Sequence, residues 1–155
     1  MTKIVVGVDG SDASKDALRW AVDEARLRGA QVVAVNAWQL PAAAPDIGPM
    51  MATATGPYEF AELVPQLEES ARLLVEGAVQ EIAGSAAGVE IQSVAVEGPP
   101  ARVLIDAARD ADLLVVGSRG HGGFTGLLVG SVSLQAVQHA PCPVVICRHR
   151  EPDGD

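Results

Sequence analysis

The sequence has few aromatic residues, few cysteines and few positive charges. Aromatic side chains make up 3% of the 155 residues and apolar side chains 48%, so the core must be mainly aliphatic. The two cysteines, Cys142 and Cys147, are five positions apart. On one strand that odd separation places them on opposite faces, where they cannot bridge each other. We therefore expect a reducing, cytoplasmic location.

Further absences exclude several classes of partner. No apolar run approaches the roughly 18 residues of a membrane span, and the first predicted strand begins at Lys3 without a secretory signal before it. The net charge of −9 argues against nucleic acid or an anionic membrane as a partner. No histidine and cysteine cluster has the spacing of a protein-borne zinc site.

Apolar runs and helical periods alternate along the chain. Strands are predicted at residues 3–8, 31–37, 89–96, 113–116 and 143–148, with helices between them. Five strands alternating with four helices predict an open five-stranded parallel α/β sheet, Rossmann-like, with helices on both faces. The polar strand 89–96 suits a sheet edge. Ligands bind such sheets at the carboxyl ends of the strands, here between strands one and four.

One segment interrupts this alternation. Residues 38–60 contain four prolines and no period, and the next helix is predicted from Ala61, with Pro65 in its first turns. We interpret the segment as a mobile surface excursion; a flap over a ligand and a contact for a partner are the alternatives. Residues 1–148 are predicted to form one domain, and residues 149–155 a charged, disordered tail.

A glycine-rich loop follows the fourth strand. Glycines occupy positions 117, 120, 122, 123, 126 and 130, and a helical pattern begins at Ser131, the predicted N-cap. Glycine lets the backbone approach a ligand, and unpaired N–H groups make a helix start attractive to anions. The loop therefore suits phosphate, although its composition alone also suits a flexible surface loop. Neither a P-loop nor a G-x-G-x-x-G pattern is present.

The spacing Gly117, Gly120, Gly130-Ser131 reads G-x2-G-x9-G-S/T. With the opening IVVGVDGSDAS and the late HAPCPVV, it resembles the universal stress protein family along nearly the whole chain. The resemblance implies an adenine nucleotide alpha hydrolase-like fold that is often dimeric, in which members with the full motif bind ATP.

The same resemblance implies a set of nucleotide-binding residues. Asp9 would lie near the adenosine and a phosphate-bound Mg²⁺ or Mn²⁺, and the Val35 backbone would pair with adenine; a turn-capping role for Asp9 and a plain core position for Val35 are the alternatives. Arg119 and His121 would lie near the phosphates. The full set is Gly7, Val8, Asp9, Val35, Val116, Gly117, Arg119, Gly120, His121, Gly130, Ser131, Val132 and Ser133.

Phosphoryl transfer has little support, because the loop has neither a P-loop lysine nor a carboxylate after its glycines. We therefore predict an ATP-binding regulatory protein of the stress response, without identified catalytic residues and with at most slow hydrolysis. Nucleotide would order the 117–130 loop and change the surface that an unknown protein partner contacts. The alternatives are an adenylating enzyme, whose S-G-G-x-D-S loop is absent, and a dimeric scaffold that binds AMP, cyclic AMP or nothing. The apolar strand 143–148 predicts a homodimer.

Overall fold

A five-stranded parallel sheet forms the centre of the computed structural model, which describes residues 2–40, 57–119 and 129–150. The strands are β1 (Lys3–Gly7), β2 (Gln31–Trp38), β3 (Ile91–Glu97), β4 (Leu113–Gly117) and β5 (Val144–Cys147). Their order in the sheet is β3-β2-β1-β4-β5, and every neighbouring pair is parallel. The predicted parallel α/β sheet is thus confirmed, and β3 lies at an edge as expected.

Helices cover both faces of this sheet. The described residues form α1 (Asp12–Arg28), α2 (Pro57–Glu81), α3 (Pro100–Ala107) and α4 (Ser131–His139), with a 3₁₀ turn at Ala108–Asp110. One aliphatic core lies between the sheet and the helices α1 and α2. A second lies between the opposite face and the helices α3 and α4. Burial on both faces explains why β1 and β4 are continuous apolar runs.

Helix α1 shows how the local sequence determines where an element begins and ends and which face it buries. Its buried face repeats at helical spacing through Ala17, Leu18, Ala21 and Val22. Ser11 caps its start, and its C-terminus closes at Gly29, which has a φ of 65°. That left-handed conformation suits glycine. Helix α1 therefore runs from the end of β1 back to the start of β2.

Several predicted boundaries were wrong. Trp38 belongs to β2, and α2 begins at Pro57 with Pro65 inside it, so both flanks of the predicted irregular segment are regular. Residues 41–56 of that segment lie outside the described residues. Strand β3 begins two positions later than predicted, because Val89 donates its N–H to the Ala86 carbonyl in a turn. Strand β5 spans four residues, and Cys142 precedes it.

The connections reverse direction between β1 and β4. The chain moves outward from β1 to β2 and β3, then returns to β4 on the other side of β1. Such a reversal leaves a crevice at the carboxyl ends of the two strands.

The described helices include none that is long and apolar enough to cross a membrane.

Candidate functional site

A cleft opens at the carboxyl ends of β1, β2 and β4, at the point of reversal. Loops and helix starts from five parts of the chain meet there. The lining residues are Gly7, Val8, Asp9, Ser11, Ser14, Val35, Asn36, Ala37, Pro100, Leu104, Val116, Gly117, Arg119, Gly130, Ser131, Val132 and Ser133. The structure therefore brings together eleven of the thirteen residues that the sequence predicts as a nucleotide site. Gly120 and His121 lie outside the described residues.

The turn after β1 forms one wall and is held by side chains. Asp9 Oδ1 accepts from the Ser11 N–H at 2.9 Å and from the Ser11 hydroxyl at 2.5 Å. The Ser11 Oγ also accepts from the Ser14 N–H at 3.2 Å, which caps α1. Ser14 donates its hydroxyl to the Ser11 carbonyl at 2.9 Å. Asp9 thus serves the turn, as the alternative interpretation predicted, and also lines the cleft.

The wall formed by β2 presents a different peptide group from the one predicted. The Val35 carbonyl accepts from the Val8 N–H at 2.8 Å, so it belongs to the sheet. Along β2, Gln31 and Val35 bond toward β1, whereas Val32 and Trp38 bond toward β3. Ala37 follows Val35 by two positions, so its N–H and carbonyl also point toward β1. Because β1 ends at Gly7, these two groups face the cleft.

The Val35 carbonyl is therefore bonded into the sheet, and the peptide groups that face the cleft lie one step of the strand period further on, at Ala37. The side chain of Val35 is buried in the core beneath the cleft, and the groups able to pair with a planar base belong to Ala37. The sequence already indicated Ala37 as a candidate. It lies two positions after Val35, so its peptide groups point to the same side of the strand, and it is closer to the carboxyl end. The end of β1 relative to β2 decides between the two, and that register is visible only in the sheet.

The start of α4 forms the opposite wall. Gly130, rather than Ser131, is the N-cap, and its carbonyl accepts the first helical bond from the Leu134 N–H at 3.0 Å. Ser131, Val132 and Ser133 therefore occupy the first turn, where N–H groups lack intrahelical partners. The Ser133 hydroxyl donates to the Gly117 carbonyl at 2.6 Å, and the Gly130 N–H donates to the Ser118 carbonyl at 2.7 Å. These bonds fasten the helix start to the end of β4.

Gly117 has a structural role that differs from the predicted one. A Cβ at this position would lie 2.8 Å from the Ala13 carbonyl carbon and 2.9 Å from the Ser14 nitrogen. Its φ is not positive, because the positive-φ glycines of the described residues are Gly10, Gly29, Gly88 and Gly98. The glycine is needed where β4 passes α1. A side chain at this position would therefore press on the backbone at the start of α1.

Charge and polarity divide the cleft into two ends. Val35, Ala37, Pro100 and Leu104 give an apolar end beside β2 and α3. The other end contains the first turn of α4, the hydroxyl of Ser131 and Arg119, the one cation among the described lining residues. The Ser11 hydroxyl lies 3.4 Å from the Arg119 carbonyl oxygen, so the two loops meet at this end. The arrangement suits a molecule with a flat apolar part and an anionic part.

The remaining candidates for chemistry do not join this cleft. Among the described residues, no group of three or more histidine, cysteine or acidic side chains is arranged to hold a metal ion. Burial, together with the charge of Asp112, raises the pKa of Cys142. Burial and Asp16 likewise raise the pKa of Cys147. A raised pKa leaves less reactive thiolate at neutral pH, so neither cysteine has the environment of a reactive thiol.

Sequence reasoning missed six lining residues: Ser11, Ser14, Asn36, Ala37, Pro100 and Leu104. Ser11 and Ser14 belong to the capped start of α1, and Pro100 begins α3. Leu104 belongs to the core on this face of the sheet; a Cβ at Gly7 would lie 2.8 Å from its Cδ1, which shows how closely α3 approaches β1. Their shared location depends on the order of the strands.

Comparisons with known proteins agree with this architecture. The universal stress protein family model matches residues 1–148. A universal stress protein of Mycolicibacterium smegmatis is 36% identical over 147 residues, which cover 95% of this chain and 46% of that protein. The chain thus spans about half the length of the curated relatives that it matches.

Solved structures show the same likeness. The universal stress protein UspA from Lactobacillus plantarum has a TM-score of 0.74 at 27% identity, covering 95% of this chain and 97% of that one. A universal stress protein in complex with cAMP has a TM-score of 0.64 at 26% identity, covering 96% and 98%. Together with the family match over residues 1–148, these findings establish that the chain belongs to the universal stress protein family.

Proposed function

We propose that the cleft binds an adenine nucleotide, ATP with Mg²⁺ or Mn²⁺ held through its phosphates, and that the chain acts as a nucleotide-dependent regulatory protein. The observation that carries the proposal is the cleft itself, in which an apolar end and the N-terminus of α4 lie together where the strand order reverses. The complex of a relative with cAMP adds that a protein of this fold takes an adenine nucleotide.

The base would occupy the apolar end. The Watson–Crick edge of adenine offers one donor, the 6-amino group, beside one acceptor, N1. The Ala37 carbonyl and N–H form the complementary pair on β2, and the side chains of Val35, Pro100 and Leu104 supply apolar contact for the ring. Guanine carries a carbonyl oxygen and a protonated N1 on the same edge, which reverses both partners. A site that forms hydrogen bonds with adenine therefore rejects guanine strongly, because the Ala37 carbonyl and N–H would then be left without partners.

The phosphates would lie against α4. The N–H groups of Ser131, Val132 and Ser133 and the positive end of the helix dipole favour an anion there. Arg119 adds one positive charge, whereas Asp9 lies on the opposite wall, in a position to face a phosphate-bound divalent cation. The chain as a whole carries −9, so this local arrangement must hold the phosphates against an unfavourable overall field.

Regulation would follow from the position of the glycine loop. Arg119 and Gly130 lie near the two ends of the loop, and both line the cleft. A nucleotide that contacts both would restrict residues 117–130 and change the surface offered to a protein partner. Turnover is not part of this proposal, since the described lining residues include neither a lysine nor a carboxylate other than Asp9.

Calorimetric titration with ATP, ADP, AMP, cyclic AMP, adenosine and GTP, with and without Mg²⁺, tests the proposal. The informative variant is Ser131→Asp, because an acidic residue in the first turn suits the helix but repels phosphate. We expect unchanged thermal stability, at least about tenfold weaker binding of ATP and unchanged binding of adenosine. Ser131→Asn, which adds no charge, is the matched control. A folded wild-type protein that ignores every adenine nucleotide would rule the proposal out.

We also propose a homodimer through β5. The carbonyls of Pro143 and Cys147 point toward β4, where they accept hydrogen bonds from the N–H groups of Leu114 and Ser118. By alternation, the peptide groups of Val144 and Ile146 point away from the sheet, at its edge. The four side chains of β5 are half-buried, and Leu134 and Val137 on the adjacent α4 are 52% and 56% exposed. An apolar edge with outward donors and acceptors is suited to pairing with its two-fold mate.

A further inference from the structure

Asn36 is a buried amide at the carboxyl end of β2, between Val35 and the cleft-facing Ala37. It is 6% exposed, and its side chain lies on the same face of the sheet as those of Val32 and Ala34, which pack against α1. Burying a carboxamide costs free energy unless its polar atoms are bonded. The Asn36 Nδ2 lies 2.7 Å from the Val8 carbonyl oxygen. Since a carbonyl oxygen can only accept, the amide nitrogen must be the group that faces it.

The bond from Asn36 replaces a rung of the sheet. The β1–β2 ladder contains bonds from Gln31 N–H to the Thr2 carbonyl and from Val8 N–H to the Val35 carbonyl. The next rung of a parallel ladder would run from the Ala37 N–H to the Val8 carbonyl. Among the described residues that bond is not formed, and the Asn36 amide donates to the same carbonyl instead. The Asn36 side chain thus ends the backbone hydrogen bonding between β1 and β2 before the bond from the Ala37 N–H.

We propose that Asn36 is a positioning residue that sets base selectivity: by occupying the Val8 carbonyl, it keeps the Ala37 N–H available to the ligand. The bond also ties the turn that carries Asp9 to β2, because Val8 immediately precedes that turn. This inference deepens the proposed function and, for its ligand measurements, rests on it. Its structural part is independent of any ligand.

Amide hydrogen exchange, followed by NMR on the full ¹⁵N-labelled chain without ligand, tests the structural part. In the wild type, the Ala37 amide should exchange faster than the Val35 amide, which belongs to a residue bonded into the ladder. In Asn36→Leu, which has the same branching and no donor, the Val8 carbonyl loses its partner and captures the Ala37 N–H. Exchange at Ala37 should then slow by about tenfold or more.

Two results would overturn this part. One is a wild-type Ala37 amide already as protected as that of Val35, a measurement that needs no variant. The other is unchanged exchange at Ala37 in a folded Asn36→Leu protein. Asn36→Val, which also lacks a donor and adds no ionisable group, serves as the second variant, and the same slowing is expected at Ala37.

Selectivity between ATP and inosine triphosphate tests the functional part. Hypoxanthine replaces the 6-amino donor with an acceptor and protonates N1, so it cannot use the Ala37 pair. We expect the ATP preference of the wild type to fall about tenfold or more in Asn36→Leu, because ATP binding weakens while inosine triphosphate binding changes little. A merely structural role would weaken both nucleotides equally, and a preserved ratio would refute the inference. Failure of the wild type to bind either nucleotide would instead refute the proposed function, while the exchange result would stand.

Discussion

At Gly117 the backbone of β4 passes directly beside the first turn of α1. The nearest atoms to a methyl group added at this position would be the Ala13 carbonyl carbon, the Ser14 nitrogen and the Ala13 Cβ, all within 3.0 Å. The two nearest belong to the backbone, so they cannot move aside as a flexible side chain would. Close packing here holds together both walls of the cleft, because α1 follows Asp9 and β4 leads into the glycine loop.

We expect Gly117→Ala to lower the free energy of unfolding by about 1–3 kcal/mol, the usual cost of overpacking a well-packed site. Gly77→Ala is the matched control. Gly77 lies inside α2, where an added Cβ meets nothing within 4 Å, so alanine should stabilise the helix by about 1 kcal/mol. Urea denaturation midpoints measure both changes. A Gly117→Ala protein as stable as the wild type would show that β4 can move away from α1.

At this scale the sequence predicted eleven of the residues that line the cleft but not all of the contacts that they make. Spacing identified Gly117 and Gly130, since a strand end and a helix start leave a local pattern. It could not show that Gly117 faces Ala13, because that contact joins residues more than one hundred positions apart. Asn36 and Ala37 were missed for a related reason. Their roles depend on where β1 ends relative to β2, and no local period encodes that register.

Helix α2 shows the same limit for a whole element. Its ninth residue is Pro65, in an exposed position. Proline has no N–H to donate to the carbonyl four residues earlier, and its ring crowds that carbonyl. The sequence pattern accordingly predicted a helix from Ala61, with Pro65 in its first turns. The structure keeps the turns before it helical, so the element is longer than local propensity favours.

Replacing Pro65 with alanine should therefore stabilise α2. An interior proline costs up to about 3 kcal/mol relative to alanine, and we expect Pro65→Ala to recover part of that, because the gain is reduced by the greater freedom of the unfolded chain. Pro100→Ala is the control, since Pro100 occupies the first position of α3, where a missing N–H has no cost. Thermal unfolding and helical circular dichroism measure both variants. Equal effects at the two prolines would mean that residues before Pro65 do not form a continuous helix with the rest of α2.

Most other elements were predictable because their signals are local. Continuous apolar runs indicated β1, β2 and β4, and the Ser11 cap with Gly29 bounded α1. Short connections and right-handed crossovers narrow the possible strand orders but do not by themselves select the reversal between β1 and β4. The boundaries of β3 and β5 were less predictable, because edge strands end where their one neighbour ends.

For the whole molecule, the exposed edge of β5 is the feature that bears on assembly. Two copies would each carry −9, so their mutual repulsion opposes association and is reduced at physiological ionic strength, where the Debye length is about 8 Å. Pairing of the two edges must therefore supply the specific attraction. The outward peptide groups of Val144 and Ile146 are the ones that would form it, while those of Pro143 and Cys147 remain bonded to β4.

This division of the peptide groups allows a test that separates pairing from folding. Ile146→Pro removes one outward N–H without breaking a bond to β4, because the Ile146 peptide points away from the sheet. Ile146→Ala is the matched control, since it loses the same side-chain packing against the core beneath α3 and α4 but keeps the N–H. By sedimentation velocity at physiological salt, we expect a dimeric wild type, a dimeric or weakly dissociating Ile146→Ala and a monomeric Ile146→Pro.

A dimer that survives Ile146→Pro would place the interface elsewhere, and a monomeric wild type would exclude pairing through β5. Loss of the dimer in both variants would mean that side-chain packing, rather than the backbone edge, holds the two copies together.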